Sequence, residues 1–205
     1  MKYLITQSLV SSWLYIFNCA SGYEGNALAS FLETLKRVPS ETTEAMQNGI
    51  DFERNVYRVA YGLDIEQGFE AWIPGIEKVA ERISRAPTQV RLSRTLSIGD
   101  DEFVVYGILD ALKAGIIYDV KFKNKNFKDL ELAGDYLDSP QHPFYFFICP
   151  EAYEFNYLVS DGEDLYVETY HPNECRSAES IISEFISWLK TSGYIDIYKE
   201  HWKAR

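Results

Sequence analysis

The stretch EFVVYGILDALKAGIIYDVKFKN, residues 102–124, decides the fold. Two runs rich in Val, Ile, Tyr and Phe flank Ala114-Gly115, a pair that turns one strand back on another. The segment reads as antiparallel strands over 103–112 and 116–123. A two- or four-residue loop at Ala114-Gly115 sets Asp110 opposite Asp119, and opposed residues share a face with Cβ atoms about 4.5–5.5 Å apart. Lys121 follows two residues later on that face, because strand side chains alternate. A three-residue loop with Gly115 as a bulge would instead shift the pairing by one and send Asp119 to the other face.

The flanks supply the layers around this hairpin. Leu9, Trp13, Ile16 and Phe17 recur at helical spacing over 7–19. A second helix is expected over 24–37, stopped by Pro39. A third covers 41–61, with Met46, Ile50, Val56, Tyr57 and Ala60 apolar and Gly62 at its end. A fourth begins at Pro74 and closes before Pro87. Val90, Leu92 and Leu96 then open a strand. After the hairpin, 127–148 reads as helical, cut into pieces by Pro140 and Pro143. Residues 153–159 and 165–170 form two strands about Asp161-Gly162. The last helix, 177–190, sets Ile181, Ile182, Phe185, Ile186 and Leu189 on one side. This order gives an α/β chain with a central mixed β-sheet flanked by helices and an N-terminal helical region. With 205 residues, 46% of them hydrophobic, a core large enough for one domain is available. That domain spans 1–205, the helices of 1–87 packing on a sheet core of 88–205.

Several chemistries lack their residues. No G-x-x-x-x-G-K-[ST] or G-x-G-x-x-G sequence is present, so phosphate-loop chemistry has no support. Cys19, Cys149 and Cys175 are odd in number and far apart, with no C-x-x-C pair for zinc or a disulfide framework. Thr6, Gln7, Ser8, Ser11 and Ser12 interrupt the apolar N-terminus, so no clean signal peptide forms. No run of about 18 apolar residues predicts a membrane span. A cytoplasmic protein is expected.

The paired acids carry the positive signal. Two opposed carboxylates repel unless something compensates, and a divalent cation does so well. Mg²⁺ prefers oxygen ligands and keeps waters beside one or two carboxylates. Lys121 would offer its charge to a phosphate oxygen or to the attacking water, and as a solvated side chain it would matter little to folding. Phosphodiester hydrolysis uses these parts: a Lewis acid, an activated water and compensation for growing charge.

Gly107-Ile108-Leu109-Asp110, Asp119-Val120-Lys121 and Gln141-His142-Pro143-Phe144-Tyr145 resemble the G-x-x-D, D-x-K and Q-x-x-x-Y motifs of PD-(D/E)XK nucleases, in the branch of RecB-type domains and lambda-type exonucleases. Gly49-Ile50-Asp51-Phe52-Glu53 is similar to the family's preceding helical motif, and Thr6-Gln7-Ser8-Leu9-Val10 through Cys19 to its N-terminal helix. The resemblance spans about residues 6–146, with Leu109 standing where the family's eponymous proline would be. It implies a restriction-endonuclease-like fold. It implies catalytic Glu53, Asp110, Asp119 and Lys121, with Mg²⁺ or Mn²⁺ held by Glu53, Asp110, Asp119 and the Val120 carbonyl. Gln141 and Tyr145 would face the site or the DNA backbone. Some members carry a four-cysteine iron–sulfur cluster; three cysteines at unsuitable spacing predict none here. The implied activity is a DNA exonuclease of the recombination, repair or phage kind, with DNA and a recombination or phage protein as partners.

Charge qualifies this expectation. The chain carries a formal net charge of −11, whereas phosphate binding usually needs a basic footprint. Lys121, Lys123, Lys125 and Lys128 form one local basic run, and Arg82, Arg85, Arg91 and Arg94 another; either suits a DNA groove. The alternative is a catalytically silent nuclease fold that binds DNA or a basic protein, for which an acidic surface is fitted.

Overall fold

A strand has only two edges, and the way β3 shares one of them shapes this molecule. The computed structural model describes residues 1–204. Six strands form one mixed sheet: β1 (Lys2–Thr6), β2 (Thr88–Ile98), β3 (Asp101–Lys113), β4 (Ile116–Phe122), β5 (Glu154–Ser160) and β6 (Leu165–Tyr170). β2 takes one edge of β3 antiparallel, from Ile98 opposite Asp101 to Thr88 opposite Ala111. The other edge is divided. β1 runs parallel to Glu102–Tyr106, and β4 pairs antiparallel with Ala111–Lys113 only. Gly107, Ile108, Leu109 and Asp110 lie between them with no strand on that edge. β4 parts from β3 and runs parallel to β5 along its whole length, and β5 pairs antiparallel with β6.

The hairpin has the two-residue turn. Lys113 stands opposite Ile116, and Ala114 and Gly115 have φ of 53° and 80°. Two left-handed residues make the primed turn whose twist matches the strands. The register that follows is the one that faces Asp110 with Asp119.

Helices cover both faces. They are α1 (Gln7–Asn18), α2 (Glu24–Leu35), α3 (Glu44–Ala60), α4 (Ile73–Ile83), α5 (Gln141–Ile148), α6 (Ala178–Thr191) and α7 (Ile195–His201). Thr6, Thr43 and Ser177 cap α1, α3 and α6, each side-chain oxygen accepting a first-turn N–H. On one face Leu9, Trp13, Phe31, Phe144, Phe185 and Tyr198 pack with Phe103, Val105 and Phe155 of the sheet. On the other, Phe52 and Val56 of α3 and Ile76, Val79 and Ile83 of α4 pack with Ala111, Val120 and Leu158.

The structure corrects the sequence reading in four places. The N-terminal region is not wholly helical: Lys2–Thr6 form β1, a strand held between β3 and the Tyr3–Lys203 bridge. A five-residue strand is too short for its period to show. The expected helix over 127–148 is only a 3₁₀ turn, Phe127–Asp129, and α5. Gly134, at a φ of 83°, and Pro140 interrupt the stretch between them. α4 ends at Ile83, earlier than expected, because Arg85 adopts a φ of 61°. α7 adds a helix beyond 190, where Tyr198 is buried and its hydroxyl donates to the Leu4 carbonyl at 2.9 Å.

Candidate active site

The unpaired stretch of β3 is where the acids collect. One step beyond the Ala111–Tyr118 pair, Asp110 and Asp119 face one another across a mouth rather than a ladder. Asp110 Oδ2 accepts the Val120 N–H at 2.8 Å. The Tyr145 hydroxyl, reaching in from α5, donates to the Ile108 carbonyl at 2.8 Å. Polar groups of the parted strands thus find side-chain partners, as buried backbone must. Gly107 lets α5 come this close: a Cβ there would lie 2.7 Å from the Tyr145 ring and 2.8 Å from Ile148 Cδ1.

Asp119 is 1% exposed. Its Oδ1 accepts from Gln141 Nε2 at 2.5 Å. Its buried Oδ2 is paired with the Lys121 ammonium, 2.6 Å away. Lys121 is not the solvated side chain that the sequence suggested. Only 31% of it is exposed, and its ammonium stands 5.9 Å from the centre of the Tyr157 ring. The parallel neighbour β5 causes this by setting Tyr157 beside Asp119.

Glu53 arrives from the opposite face on α3, anchored by its neighbour Phe52 in the core. Its Oε1 accepts from the Tyr57 hydroxyl and, at 3.0 Å, from Gln89 Nε2, which also donates to the Tyr57 oxygen at 2.9 Å. Sequence reading missed both partners. Tyr57, four residues after Glu53, lies on the same helical face and was legible as such. Gln89 was not, because only the tertiary fold brings β2 to α3.

The charges oppose one another. Burial, then the charges of Asp119 and Glu53, hold the Asp110 carboxyl well above the ordinary range. Burial and Asp119 also raise Glu53. Burial would lower Lys121, but the surrounding carboxylates outweigh it and hold the ammonium protonated. A divalent cation suits such a donor set of hard oxygens carrying excess negative charge. The side chains are not drawn into a cage. Among the described residues, no three His, Cys, Asp or Glu side chains stand together closely enough to hold an ion. Loading would require Lys121 to yield Asp119 Oδ2.

The other expected residues divide. Gln141 and Tyr145 reach the site but from beneath it, 6% and 5% exposed. Val120 is fixed by its own N–H on Asp110. Lys123 is engaged with Asp135 at 3.0 Å and lies over Tyr136. Lys125 is exposed and lines a separate shallow cavity of about 420 Å³ with Trp72, Phe122 and Asp161. Arg94 lies over the Phe147 ring and donates to its carbonyl at 3.2 Å. His142 is buried, stacked on Tyr170, with Nδ1 3.1 Å from the Tyr157 hydroxyl.

Fold and site together define an α/β protein whose mixed six-stranded sheet opens on an acid-rich gap. No family model matches the chain, and no curated protein matches it by sequence. Among solved structures, the crystal structure of SSO0001 is similar over 93% of this chain and 77% of that one, with 15% identity and a TM-score of 0.54. This likeness is one of fold. Scheffersomyces stipitis Rai1 is matched over 92% of this chain and 61% of that one, with 17% identity and a TM-score of 0.39. Among the described residues, no helix is long and apolar enough to cross a membrane.

Proposed function

We propose that this chain is a Mg²⁺- or Mn²⁺-dependent nuclease that hydrolyses DNA phosphodiester bonds, of the PD-(D/E)XK kind. One observation carries the reading: Asp110, Asp119 and Lys121 meet at the parted strands, with Glu53 delivered to the same mouth by α3. The mixed sheet flanked by helices agrees with it. The finer reading, an exonuclease serving recombination, repair or a phage, rests on the motif resemblance.

Glu53, Asp110, Asp119 and the Val120 carbonyl would hold the cation. When bound, it supplies Lewis acidity to the phosphoryl oxygen and lowers the pKa of an attacking water. The protein's own groups do the rest. Gln141 fixes Asp119, so the carboxylate needs little reorganisation. Asp110 stays aimed by the Val120 N–H. Lys121, released from Asp119, offers its ammonium to the water or to the charge that grows on the phosphate. Exposed Lys125 is a candidate contact for the phosphate backbone.

A second reading, a silent module, is favoured by the net charge of −11 and by carboxylates not yet gathered into a cage. Labelled linear and circular DNA, incubated with Mg²⁺, Mn²⁺ or EDTA, separates the two. Metal-dependent shortening of linear DNA alone supports the exonuclease; cutting of both supports an endonuclease. Intact substrates under every condition, RNA included, would leave the binding module as the better account.

A further inference from the structure

We propose that Gln89 is a positioning residue for the cation site, pinning Glu53 Oε1 so that Oε2 is left to meet the ion. The inference rests on the cation-site reading above and adds a residue that none of the sequence motifs contains.

Two independent features single out Gln89. The first is its backbone. Gln89 lies inside β2 yet has a φ of 53°, in the left-handed region that strand residues avoid. The β2–β3 ladder pairs Thr88 with Ala111 and Val90 with Leu109, and the step between them, Gln89 with Asp110, is skipped. Glycine would adopt that left-handed conformation without strain, so the side chain gives the position its purpose.

The second is where that side chain goes. Nε2 donates to Glu53 Oε1 at 3.0 Å and to the Tyr57 oxygen at 2.9 Å. The Tyr57 hydroxyl donates to the same Oε1. Both donors therefore land on one oxygen, and Glu53 can rotate only by breaking them. The skipped step of the ladder lies opposite Asp110, a second acid of the site. A carboxylate ligand held this way is aimed before the ion arrives, and loss of such a partner typically weakens metal binding about 10–100-fold.

Manganese titration calorimetry on the full chain tests this, with unfolding temperatures measured in EDTA. Wild type, Gln89→Gly, Gln89→Leu and Asp119→Asn form the set. Gln89→Gly relieves the backbone and deletes the donor. It should unfold at or above the wild-type temperature while its Mn²⁺ Kd rises at least about tenfold. Gln89→Leu keeps the side-chain bulk without the donor and should lose affinity to the same extent. Asp119→Asn should abolish the heat, assigning it to this site. A merely structural Gln89 would give the reverse pattern, a lower unfolding temperature at unchanged Kd, and equal Kd in wild type and both Gln89 variants overturns the inference while leaving the cation site standing. Absence of any Mn²⁺ heat in wild type overturns the cation site itself, and this inference with it.

Discussion

Asp119 and Glu53 belong to one site, yet the molecule holds them by different means. Asp119 sits inside the sheet, nearly without exposure, between Gln141 and Lys121. Its position is set by the β4–β5 ladder and by α5, both deep in the core. Glu53 stands on a helix at the margin, and its partners are a tyrosine one turn along and a glutamine on a kinked strand. The charge of one acid is built into the sheet, whereas the other is delivered to it by a helix packed on the opposite face. The difference predicts that disturbing the Asp119 side costs stability and rate together, and that disturbing the Glu53 side costs metal affinity alone.

The largest effect is expected at Lys121. Lys121→Ala should lower cleavage by about 10²–10³-fold, the usual worth of a group aimed at transition-state charge. In EDTA it should also destabilise the fold by up to about 3–5 kcal/mol, because removing one partner strands a buried charge on Asp119. Saturating Mn²⁺ should restore most of that stability without restoring cleavage. Chemical denaturation with and without the ion checks both halves. Unchanged stability in EDTA would mean that the Asp119 side is no more rigid than the other.

Gly107→Ala comes next. Its methyl group would press on the Tyr145 ring and Ile148, at a cost of about 1–3 kcal/mol in overpacking. Gln141→Ala, which leaves Asp119 Oδ1 unpartnered, should cost about 1–3 kcal/mol as well as activity. Glu53→Gln makes the contrast: its unfolding temperature should stay at or above that of wild type. The sign follows from the raised carboxyl. An acid with a folded pKa above its unfolded one binds more protons when folded, so it subtracts stability as pH rises through that window. The advantage of Glu53→Gln should therefore grow from the ordinary carboxylate range, near 4.5, upward. Equal losses for Gln141→Ala and Glu53→Gln would erase the distinction.

An effect confined to acid pH should appear at His142, on α5. Burial lowers its pKa from 6.5 to about 4. Its unfolded form binds the proton first, so stability should fall as pH drops from about 6.5 to about 4. His142→Phe should flatten that limb of the stability curve while leaving the Glu53 limb in place. An unchanged acid limb would assign it to other groups.

Much of this site could be read from local pattern. The hairpin strands came from alternation about Ala114-Gly115, but the loop length stayed open, and the two-residue turn that faces Asp110 with Asp119 was decided by the structure. α1, α3 and α6 announced themselves through apolar spacing, while their caps Thr6, Thr43 and Ser177 emerged only in the structure. What escaped is non-local. β1 is recognisable only by its pairing with β3. The burial of Lys121 depends on β5, parallel and more than thirty residues away. Gln89 lies in no motif, since its role needs a kinked strand laid against α3. The stretch 130–140 has Leu130, Ala133 and Leu137 at helical spacing, yet Gly134 turns left-handed there, and Pro140 marks a start rather than a break.

Crystals soaked in Mn²⁺ and measured at the manganese absorption edge test the central claim most directly. The account predicts one anomalous peak at the parted strands, bounded by Glu53, Asp110, Asp119 and the Val120 carbonyl, with Lys121 moved off Asp119. Ordered manganese elsewhere, with Lys121 still seated on Asp119 and no peak between the carboxylates, would contradict it.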